Sequence, residues 1–196
     1  MEPIILASES PRRQEYFRLL GLPFSVVPAK IDERAVTATG PRKLAETLAV
    51  KKVQEVAERI RRGQGPRWIF GADTIVAIGR EVFGKPEDRN DAARILGRLS
   101  GRGHKVITAM ALYNTETETI SRREAVCTVT FARLSVEEIN WYLDTEEWQG
   151  AAGGYRLQGR GGCFITSVKG SPSNVVGLPL RDFYDMLKSN GYPYGP

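Results

Sequence analysis

The stretch Ile4-Ile5-Leu6-Ala7-Ser8-Glu9-Ser10-Pro11-Arg12-Arg13 decides how this chain is read. Its apolar opening is a short buried strand, and the polar run that follows stands just ahead of a helical pattern. Ser10 is placed as the helix N-cap and Pro11 as the first helical residue, where a missing N–H costs nothing. Free backbone N–H groups, the hydroxyls of Ser8 and Ser10 and the guanidinium groups of Arg12 and Arg13 then gather at the positive end of a helix dipole, after a strand. Such a strand-to-helix step binds anions, phosphates above all.

Working outward, Tyr16, Phe17, Leu19 and Leu20 supply an apolar helical face that Gly21 stops, and Phe24 to Val27 reads as a second strand. Pro41 to Arg62 is the longest helix, and Trp68 to Ala72 is a strand that ends at Asp73, with Thr74 to Ile78 its continuation or its neighbour. Val82 and Phe83 precede the Gly84-Lys85-Pro86 break and a helix from about Asn90 to Leu99. Two long strands, His104 to Tyr113 and Thr119 to Phe131, lead to the capping box Ser135-Val136-Glu137-Glu138 and a helix to about Asp144. A glycine-rich loop, Gly150 to Gly162, separates that helix from a strand at Cys163 to Val168. A last helix, Leu180 to Lys188, is followed by a loose proline-containing tail. Helices and strands mix throughout, so the expected class is α/β with a central mixed sheet flanked by helices, in a single domain over residues 1–196.

Composition narrows the function. No apolar run approaches the roughly 20 residues of a membrane span, and no basic leader precedes the first strand, so a cytoplasmic protein without a membrane partner is expected. Cys127 and Cys163 lack any C-x-x-C spacing and lie in strand-like runs, which reads as two reduced core thiols. The net charge of +5 favours an anionic partner. The densest cluster, Arg59, Arg61, Arg62 and Arg67, gathers around the end of the long helix, where cations are favoured anyway, and no nucleic-acid-binding motif accompanies it. A phosphorylated small molecule is therefore preferred over nucleic acid. The one histidine, His104, stands apart from any nucleophile motif and is read as structural, and no Walker A sequence is present.

Carboxylates carry the weight instead. Asp73, at the end of its strand and after the small pair Gly71-Ala72, lies where open α/β sheets place ligands; Asp32-Glu33 occupies the loop after the second strand. Lys85 is held on a rigid turn, and Lys52 projects from the long helix. Phosphate chemistry with a hard cation needs carboxylates to hold Mg²⁺ or Mn²⁺, fixed positive charge for the phosphates, and a carboxylate to take a proton from water. Asp73 and Glu33 can supply the first and third of these. Arg12, Arg13 and Lys85 can supply the second, with Lys52 a further cation.

Six motifs, spread over nearly the whole chain and in the same order, make it resemble the Maf family of nucleotide pyrophosphatases. They are Leu-Ala-Ser-x-Ser-Pro-Arg-Arg (Leu6 to Arg13), Gly-Ala-Asp-Thr-Ile-Val (Gly71 to Val76), Gly-Lys-Pro (Gly84 to Pro86), Leu-Ser-Gly-Arg-x-His (Leu99 to His104), Gln-Gly-Arg-Gly (Gln158 to Gly161) and Val-Val-Gly-Leu-Pro (Val175 to Pro179). The resemblance implies an elongated fold related to inosine triphosphatases, with a cleft between two lobes, usually homodimeric. It implies cleavage of a nucleoside triphosphate between its α and β phosphates with a divalent metal. Asp73 matches the family's general base, Glu33 and Asp73 its metal positions, and Ser8, Arg12, Arg13, Lys52 and Lys85 its substrate positions.

Arg12, Thr74 and Gln158 match the positions that set base preference, and Thr74 and Gln158 are similar to the subgroup acting on dTTP and UTP. The amide of Gln158 offers a donor and an acceptor complementary to the O4 and N3–H edge shared by thymine and uracil. Two other readings stay open: the same chemistry on 7-methyl-GTP or a modified nucleotide, and a nucleotide-binding regulator of septum formation or cell division with little turnover. Gly150-Ala151 stand where relatives carry an Asp-Lys pair, and Arg156 is a candidate replacement for the missing cation.

Overall fold

The computed structural model describes residues 1–60 and 65–195. The expected helix residues Arg61 and Arg62 and the start of the following turn, Gly63-Gln64, lie outside the described residues. Among the described residues seven strands form one sheet: β1 (Ile4–Leu6), β2 (Phe24–Val26), β3 (Trp68–Ile78), β4 (Glu81–Phe83), β5 (Gly103–Asn114), β6 (Thr119–Phe131) and β7 (Ile165–Lys169). The order is β2-β1-β3-β5-β6-β7, with β4 paired to β3. The sheet is mixed, since β1 runs parallel to β2 and β3 while β4 and β7 are antiparallel to their partners. Among the described residues six α-helices accompany it: α1 (Pro11–Leu19), α2 (Pro41–Arg59), α3 (Arg89–Leu99), α4 (Val136–Leu143), α5 (Pro172–Val176) and α6 (Leu180–Ser189). The expected class, an α/β fold built on a mixed sheet with flanking helices, is what forms.

The chain divides into two compact units, and β3, β5 and β6 contribute residues to both. The first holds residues 1–73, 108–125 and 177–196. Its core joins Ile4 and Leu6 of β1, Phe17 of α1, Trp68 and Phe70 of β3, Met110 and Leu112 of β5, and Phe183 and Met186 of α6. Phe17, Phe70 and Phe183 meet pairwise with ring centroids 4.7 to 5.6 Å apart, in the tilted and edge-on arrangements that aromatic quadrupoles favour. Each β1 residue pairs with both β2 and β3, from Ile4 opposite Phe24 and Trp68 to Leu6 opposite Val26 and Phe70. Ile4, Ile5 and Leu6 are all buried, so both faces of this doubly paired strand are covered, which explains its unbroken apolar run.

The second unit holds residues 74–107 and 126–176. Its core gathers Val76, Phe83, the α3 residues Ile95, Leu96 and Leu99, and Phe131, Tyr142, Tyr155 and Phe164. The α4 capping box forms as expected: the Ser135 hydroxyl accepts from Glu138 N, and the Glu138 carboxylate accepts from Ser135 N.

Four expectations are corrected. Trp68 to Ile78 is one continuous strand, so Asp73 lies mid-strand rather than at a strand end; the second half of β3 keeps its extended form because Val76 to Ile78 pair with β4. Cys127 is buried, but Cys163 is exposed and lies in a 3-10 turn over residues 160–164, because strand pairing begins only at Ile165, opposite Phe131. Ser10 stands at the N-cap of α1 without capping it by its side chain; its own N–H donates to Ser8 Oγ at 3.3 Å. The tail is packed through Tyr194, since the Tyr192 and Tyr194 hydroxyls donate to Glu2 O at 2.6 Å and Leu20 O at 3.0 Å.

Candidate functional site

The site in the first unit begins with a missing side chain. A Cβ on Gly71 would lie 2.8 Å from Val53 Cγ1 and 3.1 Å from Ala49 O, so glycine is what lets α2 rest directly on β3. Two residues further on, Asp73 points to the same face of the strand as Gly71. Lys52, one turn along α2 from Leu48 and Ala49, is thereby brought over it. Its Nζ donates to Asp73 Oδ1 at 2.6 Å and lies 2.7 Å from Glu33 Oε1.

Lys52 and Asp73 are buried, at 9% and 7% exposure, while Glu33 reaches in from a short 3-10 turn and stays half-exposed. Removal from water pushes the Asp73 carboxyl above its ordinary range, partly opposed by the Lys52 ammonium and by Arg13.

One further group from the β1–α1 step, Arg13, acts on this cluster. Arg13 is buried, its Nε donating to Gly177 O at 2.9 Å and its Nη1 to Ser8 Oγ at 3.0 Å. Burial lowers its pKa to about 10, against the attraction of Asp73 and Glu33, so it remains charged at neutral pH. Arg12, next along, is half-buried. Ser8, Arg12, Arg13, Glu33, Lys52 and Asp73 therefore all belong to one unit.

The sequence offered Lys52 as a further cation on the long helix but gave no sign that it is buried; the close approach of α2 to β3 at Gly71 accounts for that. Sequence reasoning also passed over the pair that steers Glu33. Glu55 Oε2 accepts from Lys30 N at 3.0 Å, and Arg59 Nη2 donates to Pro28 O at 2.5 Å, tying the segment before Glu33 to α2. The signal was there to find: a Glu-x-x-x-Arg pair at helical spacing on the turns after Lys52.

The second unit holds Thr74, Lys85 and Gln158. Thr74 follows Asp73 in β3 and is half-buried. Lys85 is exposed on the turn after β4, and that turn is bound to the glycine-rich loop: Gly153 N donates to Gly84 O at 2.9 Å, and Pro86 lies against Gly154. Gln158 is exposed on the same loop. Arg156 closes that loop by donating from Nη2 to Gln149 O at 2.9 Å. His104 is structural as expected, with Nε2 2.8 Å from the Tyr155 hydroxyl and its ring edge-on to Phe131 and Tyr155.

Among the described residues no three His, Cys, Asp or Glu side chains gather as a ready-made metal cluster. What does gather is a pair of carboxylates, Glu33 and Asp73, already sharing one cationic group. Two hard oxygen donors so placed fit a small divalent ion that takes its other ligands from water and phosphate. Among the described residues no helix is long and apolar enough to cross a membrane.

Comparison with known proteins shows the family of the chain. The family model described as Maf-like protein matches residues 3–190. The dTTP/UTP pyrophosphatase of Symbiobacterium thermophilum is 47% identical over 193 residues, covering 98% of this chain and 96% of that protein. The dTTP/UTP pyrophosphatases of Rhodospirillum rubrum and of a Chelativorans species are 43% and 41% identical over 194 and 192 residues, covering 98% and 96% of this chain and 90% and 91% of theirs.

Proposed function

This chain belongs to the Maf-like family, and from that premise we propose that it hydrolyses dTTP and UTP between the α and β phosphates, releasing the nucleoside monophosphate and pyrophosphate. The observation that carries the reading is the buried Lys52 ammonium held between Asp73 and Glu33, with Arg13 fixed by Ser8 and Gly177 in the same unit. It unites a candidate proton acceptor, acidic metal ligands and fixed positive charge.

In this reading Asp73 takes a proton from the water that attacks the α phosphorus. The bond from that phosphorus to the bridging oxygen breaks, and the electron pair leaves with pyrophosphate. A carboxylate whose pKa burial has raised is a stronger base than one in water, which supports Asp73 in that role. Arg12, Arg13, Lys52 and Lys85 bind phosphate oxygens, and Ser8 orients Arg13. Glu33 and Asp73 would hold Mg²⁺ or Mn²⁺, which when bound neutralises phosphate charge. Arg12, Thr74 and Gln158 set the base preference, with the Gln158 amide meeting the O4 and N3–H edge. The same reading has the protein act as a homodimer in the cytoplasm.

The test is pyrophosphate release from dTTP, UTP, CTP, GTP and 7-methyl-GTP with Mg²⁺ or Mn²⁺, run beside Asp73→Asn. Metal-dependent cleavage of dTTP and UTP that the variant loses, while it still binds nucleotide, is the expected result. Cleavage at wild-type rate by Asp73→Asn would remove the proposed base, and a preference for 7-methyl-GTP would overturn the substrate assignment.

A further inference from the structure

We infer that Glu147 is a positioning residue for Gln158 and through it a determinant of base selectivity; the inference rests on the reading above, in which Gln158 meets the base. Gln158 is the third residue of a tight turn closed by Gly159 N donating to Arg156 O at 3.3 Å. The side chain is exposed, so its placement depends on what holds the two limbs of that turn.

The limb after Gln158 is latched by Glu147. Its Oε2 accepts from Arg160 N at 2.8 Å, and a Cβ on Gly159 would lie 2.2 Å from that same oxygen. Gly159 has φ −116° and ψ −159°, a conformation open to any residue, so the space is denied to a side chain by the Glu147 carboxylate and not by the backbone. The limb before Gln158 returns to the same segment, Arg156 Nη2 donating to Gln149 O. Both limbs of the turn are thus held on residues 147–149.

Selectivity follows from the symmetry of the amide. A glutamine free to reorient offers its oxygen to the cytosine amino group as readily as its nitrogen to uracil O4. A turn held in one place fixes where the Gln158 side chain starts and so which edge atoms of the base each end of its amide can reach; a turn released from Glu147 lets the amide shift onto either edge.

The experiment measures kcat/KM for UTP and CTP, with thermal midpoints, for the wild type, Glu147→Ala, Glu147→Gln, Gly159→Ala, the Glu147→Ala/Gly159→Ala double variant and Gln158→Ala. Glu147→Ala and Gly159→Ala should each lower the UTP-to-CTP ratio about five- to tenfold, the scale of one lost hydrogen bond, chiefly through KM for UTP and with the midpoint unchanged. Glu147→Gln keeps an acceptor oxygen and should keep the ratio. The double variant should be no worse than either single one, because both act on one contact.

A ratio unchanged in Glu147→Ala but lowered in Gln158→Ala would overturn the inference and leave the reading of Gln158 standing. A fall in the ratio matched by a fall in midpoint, and not restored in Glu147→Gln, would show a merely structural role and overturn it too. No UTP preference in the wild type, or an unchanged ratio in Gln158→Ala, would overturn the reading of Gln158 and the inference with it.

Discussion

Lys52 Nζ stands 2.6 Å from Asp73 Oδ1, where α2 rests on the bare backbone of Gly71. Glu33 lies 2.7 Å from the same nitrogen, so one ammonium answers two carboxylates brought from different parts of the chain. The arrangement places a cation where the proposed divalent ion would bind, and Lys52 and that ion are therefore alternative partners for the same oxygens.

Replacing Lys52 tests that relationship. Lys52→Met keeps the buried stem but takes away the ammonium that Asp73 and Glu33 share, a loss of about 3 kcal/mol on the scale of broken buried pairs. Thermal melts with EDTA and with Mn²⁺ should show a larger metal-induced rise in the variant than in the wild type, because the ion restores the missing charge. Equal rises in both proteins would place the metal elsewhere.

A second prediction concerns acid stability. Burial lowers the His104 pKa from 6.5 to about 4. Between those values the unfolded chain binds the proton and the folded one does not, so stability is complete above pH 6.5, declines as pH falls toward 4 and levels off below it. The decline amounts to about 3 kcal/mol. Denaturant unfolding across that range should show a slope that His104→Gln flattens; an unflattened slope would assign it to other groups.

The tail supplies a third. Tyr192 is 3% exposed, its ring 6.2 Å from Trp68 and its hydroxyl on Glu2 O, and Tyr194 holds Leu20 O. Ending the chain at Gly191 should cost about 3 to 5 kcal/mol, the range for deleting a buried aromatic side chain. Tyr192→Phe, which loses only one hydrogen bond, should cost about 1 kcal/mol. Unchanged denaturation midpoints in the truncated chain would show these contacts to be dispensable.

Much of the fold was legible because its signals are local. Pro11 and Pro41 mark the first residues of their helices, the Ser135 and Glu138 box opens α4, and the two long runs either side of the polar stretch Asn114 to Glu118 announce β5 and β6. The misreadings share a different cause. Asp73 looked terminal because Gly71-Ala72 resembles a break, yet β3 continues, since its later residues find β4. Cys163 looked strand-like among apolar neighbours, although the ladder that would make it so starts two residues later. The tail looked loose because its prolines and glycines say nothing of the Trp68 ring that Tyr192 meets.

The sequence by itself determined which residue types were available for phosphate chemistry and the kind of element that carries most of them, because caps, turns and hydrophobic periodicity act between near neighbours in the chain. Only the tertiary structure decided that Lys52 is buried between Asp73 and Glu33 and that Arg13 is held by Ser8 and Gly177. A charged side chain finds its partners according to how closely two elements pack. Here that distance is set by one absent Cβ, at Gly71, whose effect is felt only once α2 and β3 have come together.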